Sequence, residues 1–245
     1  MKKLSVITVT YNAERTLERT LKSVWEQSYP HIEHILVDGK SKDNTVSLIK
    51  QYVNPKLKWI SEPDKGLYDA MNKAAVMASG DYLCFLNAGD TFFNSETVEK
   101  MMQSIPDNAQ PDIIYGETAI VDDKGNFLRM RRLQAPENLT WKSFKQGMLV
   151  CHQAFIVNSA IFEPYDLRYR FSSDFDWTIK MMKKSKSIHN THLTLINYLS
   201  EGMTTANRKA SLKERYRIMA KHYGQVSTFL HHVWFVVRAV IRPEK

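Results

Sequence analysis

Between residues 4 and 87 the chain alternates short β-branched or apolar runs with amphipathic stretches, and this alternation restricts the fold more than any other feature. Leu4–Thr10 reads as a first strand. Residues 14–27 carry Leu17, Leu21, Val24 and Trp25 at helical spacing. A second strand over 34–38 ends in Asp38. The turn 39–44 follows, with Asp43 read as a helix cap, and then Val46, Ile49 and Val53 share one face. Residues 58–62 read as a third strand. Leu67, Ala70, Met71, Ala74 and Ala78 mark a helix over 67–79, closed by Gly80 where a C-terminal cap belongs. The run 82–86 is too short for a buried helix and reads as a strand covered on both faces. A new unit about every 25 residues predicts a mostly parallel sheet in an α/β domain with right-handed connections. A helix over 95–105 and a strand over 112–116 extend it.

From residue 117 the pattern changes. Residues 119–121 and 127–130 flank Asp-Asp-Lys-Gly-Asn, a hairpin signal. The stretch 141–150 is ambiguous, 153–157 and 193–199 read as strands, and a helix is expected from near Asp174. No Pro/Gly/Ser linker separates this half. We expect one domain over 1–224, with a ligand-binding half (1–116) and an α+β half (117–224). Ser211-Leu-Lys-Glu214 matches a capping box and opens a helix to about Tyr223. Over 225–245, Val226, Phe229, Leu230, Val233, Trp234, Val237, Val240 and Ile241 form an apolar helical stripe; His231, Arg238 and Arg242 fall opposite, as does Phe235.

Composition narrows the class. The 245 residues are 43% hydrophobic and 24% charged, values of an ordinary globular chain. The two cysteines, Cys84 and Cys151, lie in apolar stretches and read as reduced, buried thiols of a cytoplasmic protein. The net charge of +8 favours anionic partners. The first run, with Ser5, Thr8 and Thr10 and no small-residue cleavage site, does not read as a signal peptide, and no uncharged stretch is long enough to span a bilayer. The basic residues are scattered apart from 129–132 and 180–186, so the pattern does not predict nucleic-acid binding.

The chemistry is expected at strand ends. Asp38, Asp64 and Asp90 follow successive strands and predict one acidic, Gly-lined crevice outside their carboxyl ends, suited to a hard cation and a phosphate ester. There is no G-x-G-x-x-G after the first strand, no P-loop, and neither H-E-x-x-H nor C-x-x-C.

Five segments occur in order: 6–12 (Val-Ile-Thr-Val-Thr-Tyr-Asn), 37–45, 61–72 (Ser-Glu-Pro-Asp-Lys-Gly-Leu-Tyr-Asp-Ala-Met-Asn), 78–90 and 173–177 (Ser-Asp-Phe-Asp-Trp). Together they resemble the family 2 glycosyltransferases, closely over residues 1–100 and loosely beyond. The resemblance implies the Rossmann-like GT-A fold and inverting transfer of one sugar from a nucleoside diphosphate, UDP or GDP. It implies that Thr10, Tyr11 and Asn12 border the nucleoside and that Asp38 holds the base. Asp64, Lys65 and Asn72 would lie by the ribose and diphosphate, with Asn87 and Ala88 beside the same donor. Asp90 would fall in the family's Asp-x-Asp motif and hold Mn²⁺ or Mg²⁺, although Asn87 and Gly89 stand where that motif commonly has carboxylates.

Inversion in one displacement needs a general base for the acceptor hydroxyl. Asp174 matches the family's position and Asp176 is the fallback; His152 and Gln153 resemble an acceptor-side element. The processive members' Gln-x-x-Arg-Trp motif and spanning helices are not seen, which implies one sugar per encounter in surface polysaccharide assembly. The C-terminal stripe is expected either to meet a membrane carrying a lipid-linked acceptor, peripherally on its inner face, or to pack on the domain or a second subunit. Alternative functions are a nucleotidyltransferase and a non-catalytic sugar-nucleotide-binding module.

Overall fold

A computed structural model describes residues 1–200 and 208–241. The first half follows the alternation: β1 (Leu4–Thr10), α1 (Leu17–Trp25), β2 (Ile32–Asp38), α2 (Thr45–Gln51), β3 (Leu57–Ser61), α3 (Leu67–Met77) and β4 (Tyr82–Phe85). β1, β2 and β4 are buried at every position, as expected of strands covered on both faces. The helices are shorter than their sequence patterns because the flanking turns tie down the ends. The 39–44 turn does so at Asp43, whose oxygens accept from Thr45 N (3.0 Å) and Glu14 N (3.2 Å).

The remaining elements are β5 (Thr91–Phe92), α4 (Thr97–Gln103), β6 (Ile113–Val121), β7 (Phe127–Met130), β8 (Phe155–Asn158), α5 (Ser173–Lys184), β9 (Ile188–Leu199), α6 (Arg208–Tyr223) and α7 (Gln225–Ile241). The ambiguous stretch is a 3-10 segment, Trp141–Gln146, started by reciprocal contacts between Thr140 and Ser143. Among the described residues one sheet runs β3-β2-β1-β4-β8-β6-β9-β5, with β7 pairing only β6. β3, β2, β1 and β4 are parallel; β8 enters antiparallel to β4 and β6. The sheet therefore passes without a break from the first half into the second. Strand order reverses at β1, so the gap between the ends of β1 and β4 is the topological switch point, where such folds take ligands.

One reading of the C-terminal segment is corrected. Ser211 does not cap a helix: it lies inside α6, and its hydroxyl meets that of Ser172 at 3.0 Å. Glu214 instead reaches back to accept from Arg170 N (2.9 Å) and Phe171 N (2.8 Å), just before α5. The described side chains of the α7 stripe do not pack on the domain, one of the alternatives that the sequence leaves open. The inward face of α7 carries Thr228, His232 and Phe235; His232 lies edge-on to Tyr216 at 4.9 Å, and Phe235 packs on the main core. Val226, Phe229, Leu230, Val233, Trp234 and Val237 are exposed, Trp234 by 54%. The side chains of Arg238, Val240 and Ile241, and all of Arg242, lie outside the described residues.

Candidate active site

The loops after β1 and β2 are laced together. Asn12, at φ 50°, donates its N–H to Ser41 Oγ (2.8 Å), and its Oδ1 accepts from Lys42 N (2.9 Å). Tyr11 is 59% exposed beside this junction. Asp38 is fully buried: its carboxylate accepts from Ser41 N (3.0 Å), the Ser41 hydroxyl and Ser61 Oγ (2.6 Å). Asp64 is half-buried and accepts from Gly66 N (2.8 Å). The two loops meet so closely that a Cβ on Gly39 would lie 2.4 Å from Asp64 Oδ2 and 3.4 Å from the Tyr11 ring. Lys65 is exposed on the same turn, its N–H given to Asp69. Tyr11, Asn12, Asp38, Asp64 and Lys65 thus share one wall.

Asp90 sits apart from them, across β1. It is only 4% exposed. Its Oδ1 accepts from Leu199 N (2.9 Å) and its Oδ2 from Gln153 Nε2 (2.6 Å). The cause is local: β5 follows Asp90 at once and pairs with β9 (Thr91 opposite Asn197), which carries the chain end of β9 over the carboxylate. Burial raises the Asp90 pKa to about 7, against the two hydrogen bonds. The expected open acidic crevice is therefore corrected. Asp38 and Asp90 are covered and hydrogen-bonded, because strand-end carboxylates satisfy the donors of neighbouring turns and strands; Asp64 alone is partly open.

Cation binding would draw on few protein oxygens. Asn87 Oδ1 is buried with no hydrogen-bond partner, as is Thr10 Oγ1 on the neighbouring strand end. Each Asp90 oxygen keeps one lone pair. Gly89 has φ 103°, and a Cβ there would lie 2.8 Å from Leu199 Cδ2, so no carboxylate stands between them. Among the described residues no cluster of three or more His, Cys, Asp or Glu side chains could hold a metal. The donor set fits a cation that brings most of its ligands with it, as Mg²⁺ does when bound by one or two carboxylates plus phosphate oxygens.

The second half closes the site through a chain of contacts. Adjacent residues on the 3-10 turn His152–Ala154 look two ways: Gln153 to Asp90, and His152 Nε2 to Tyr165 Oη (2.7 Å). Tyr165 stacks on Tyr68 with centroids 5.5 Å apart, and Tyr68 Oη donates to Asp174 Oδ1 (3.0 Å). Burial lowers the His152 pKa, and the Asp174 charge opposes that shift. Tyr198 feels both carboxylates: burial raises its pKa first, then the charges of Asp90, Cys151 and Asp174. Asp174 is thus linked to Asp90 through Tyr68, Tyr165 and the His152–Gln153 turn.

Three expected site residues are otherwise engaged. Asn72 spends both ends of its amide on the Tyr165 backbone (Nδ2 to O 3.0 Å; N to Oδ1 2.7 Å), so it anchors the 165 loop. Asp176 is fully buried and faces α6: Lys221 Nζ (2.9 Å) and His222 Nε2 (2.7 Å) reach it from that helix and Lys180 Nζ (2.8 Å) from the next turn of α5. Burial works to raise its pKa, but these partners hold the carboxyl far below the usual range. It acts as a clamp between α5 and α6. Ala88 packs on the small cluster of Leu17, Leu21, Leu36, Ile49 and Leu57. Tyr68, Tyr165 and Tyr198 were not picked out from sequence, because aromatic residues at helical or strand spacing read first as core. The only signal was that Tyr68 lies within the 61–72 motif.

A parallel half-sheet with a switch-point gap walled by turn residues defines the class of open α/β folds that take ligands at the carboxyl ends of the strands. Within that class the chain belongs to glycosyl transferase family 2, whose family model matches residues 5–163. It is 31% identical over 182 residues to a PGL/p-HBAD biosynthesis glycosyltransferase of Mycobacterium bovis, covering 72% of this chain and 68% of that one. It is 22% identical over 222 residues to Escherichia coli WfgD, named as a UDP-Glc:alpha-D-GlcNAc-diphosphoundecaprenol beta-1,3-glucosyltransferase, covering 88% of this chain and 85% of that one. The crystal structure of S. aureus TarS 1-349 in complex with UDP-GlcNAc shares the fold, with a TM-score of 0.72 and 21% identity over 89% of this chain. The chain spans 64% of that TarS chain. The protein is thus a glycosyltransferase with the GT-A arrangement expected from its motifs.

Proposed function

We propose that the protein transfers one sugar from a nucleoside diphosphate, UDP or GDP, to a hydroxyl of a glycan or lipid-linked acceptor, with inversion, in surface polysaccharide or glycolipid assembly. The observation that carries this reading is Asp174: a half-buried carboxylate at the start of α5, held by Tyr68 and joined through Tyr165 and His152 to the turn whose Gln153 holds Asp90. The acceptor O–H gives its proton to Asp174 as its oxygen bonds to the anomeric carbon. The bond from that carbon to the diphosphate breaks, and its electron pair leaves with the nucleotide. Tyr11, Asn12, Asp38, Asp64 and Lys65 would hold the nucleoside and diphosphate; His152 and Gln153 would border the acceptor. Asn87 and Asp90 would hold Mn²⁺ or Mg²⁺, which when bound offsets the charge of the departing diphosphate.

The curated relatives support this reading in kind: one is named as a glucosyltransferase with UDP-Glc and an alpha-D-GlcNAc-diphosphoundecaprenol, the other for PGL/p-HBAD biosynthesis. No helix among the described residues is long and apolar enough to cross a membrane. We propose that a lipid-linked acceptor is met from the cytoplasmic side through the exposed stripe of α7. A homodimer through that stripe is the competing use. A thermal-shift panel tests the donor: UDP, GDP, CDP and dTDP, each with and without Mn²⁺. A ligand that binds only the folded chain raises its melting temperature by mass action, by roughly 3 kcal/mol of added stability at a hundredfold excess over Kd. The expected result is a rise with one nucleotide, enlarged by Mn²⁺. No rise with any of the four contradicts the proposal.

A further inference from the structure

The oxygens of Asp174 are treated differently. Oδ1 accepts from Tyr68 Oη (3.0 Å) and from the N–H of Phe175 (2.9 Å). Among the described residues Oδ2 accepts nothing, and the side chain is only half-buried. One oxygen is anchored and the other is left for substrate. The anchor is itself held rigidly. Tyr68 lies in the first turn of α3, after Gly66 at φ 115°, and is 6% exposed. Its ring is stacked on Tyr165, whose backbone is clamped by Asn72, whose hydroxyl is engaged by His152, and whose ring stacks on Trp177 at 4.8 Å.

We infer that Tyr68 is a positioning residue for the transfer: its phenol pins Oδ1 so that Oδ2 of Asp174 is the oxygen that receives the acceptor's proton. This rests on the proposed role of Asp174 as the base. Burial, and then the Asp174 carboxylate, hold the Tyr68 phenol well above its ordinary pKa, so it stays a donor throughout the working range. The arrangement also explains why Asn72, far from free to meet the diphosphate, belongs to the same motif as Tyr68. Its amide fixes the loop that carries the stacking partner. A hydroxyl on α3, in the half that holds the donor, thereby sets the geometry of a base on α5, in the half that meets the acceptor.

The test is Tyr68→Phe, which removes one oxygen and leaves the stacked ring. Turnover is read as nucleotide release from UDP-glucose, UDP-N-acetylglucosamine or GDP-mannose, in the parent chain and in an Asp174→Asn background. Loss of a hydrogen bond to a charged group predicts a fall in kcat of about ten- to a hundredfold. The donor KM should stay within about twofold, since ground-state binding is not touched. Residues acting as one unit are non-additive, so Tyr68→Phe should cost nothing further once Asp174 is Asn. Unchanged kcat in Tyr68→Phe overturns the inference. So does an equal loss in both backgrounds, which marks a general structural role. Wild-type turnover in Asp174→Asn alone overturns the base assignment itself. If Tyr68→Phe lowers the melting temperature by more than a few degrees, Tyr68→Trp is set beside it; the inference requires the same kcat loss there with the donor-induced thermal shift retained.

Discussion

At the scale of single residues, the same carboxylate type ends in opposite electrostatic states according to what surrounds it. Asp176, ringed by Lys180, Lys221 and His222, is held ionised; Asp90, buried against two neutral donors, is pushed up to about 7. A third buried group gives a clean measurement. His34 is buried in β2, and burial lowers its pKa to about 4. Thr8 Oγ1 donates to Leu86 O (2.8 Å), so its contact with His34 Nε2 (2.9 Å) has the imidazole as donor, in its neutral form. In the unfolded chain His34 takes up a proton near 6.5, before the folded chain does. Stability from this group is therefore full above 6.5 and falls as pH drops from 6.5 to 4, by up to about 3 kcal/mol. Asp90 acts with the opposite sign: the folded chain keeps its proton while the unfolded one has lost it, so its contribution falls as pH rises from about 4 to 7. Urea denaturation of the parent and His34→Gln across pH 4–7 isolates the histidine. The variant should lose less stability on acidification, and parallel curves would exclude this role.

At the scale of elements, α7 has two faces with different fates. The face bearing Thr228, His232 and Phe235 packs; the face bearing Val226, Phe229, Leu230, Val233, Trp234 and Val237 does not. α7 rests on the 3-10 segment Trp141–Gln146. There Lys183 Nζ lies 4.5 Å over the Trp141 ring and Lys145 Nζ 5.6 Å over Tyr223. An exposed apolar helix face on a chain of net charge +8 suits an anionic lipid surface. Co-sedimentation of the full chain with phosphatidylglycerol vesicles should show binding that weakens with salt. Phe229→Glu with Leu230→Glu should release it, while a neutral phosphatidylcholine vesicle should hold it poorly. Equal binding by the double variant contradicts this use of the face, and concentration-dependent dimers in its place would assign the stripe to a second copy.

Across the whole molecule, the sequence was most legible where local rules and the fold agree. The alternation through Gly80 and the burial of β4 on both faces follow from periodicity and length. The positions of Asp38, Asp64 and Asp90 at turn entries were legible too, but their exposure was not. Asp90 is covered because the two-residue β5 pairs with a strand more than a hundred residues later, and no local pattern announces such a pairing. Asp174 could be read from its motif, whereas its link to Tyr68 depends on α3 and α5 meeting across the fold. The Ser211 capping box failed for the same reason: a tertiary partner, Ser172, claimed the hydroxyl.

The central claim is that Asp174 takes the acceptor's proton in a nucleotide-sugar site built by the first half. The most direct measurement is kcat of Asp174→Asn beside its nucleotide-induced thermal shift. General-base catalysis contributes typically 10²–10⁴-fold, so turnover should fall by about that factor. The thermal shift should match the parent's within a degree or two, since Asp174 is not in the donor wall. Turnover within a few-fold of the parent, with binding intact, would contradict the account.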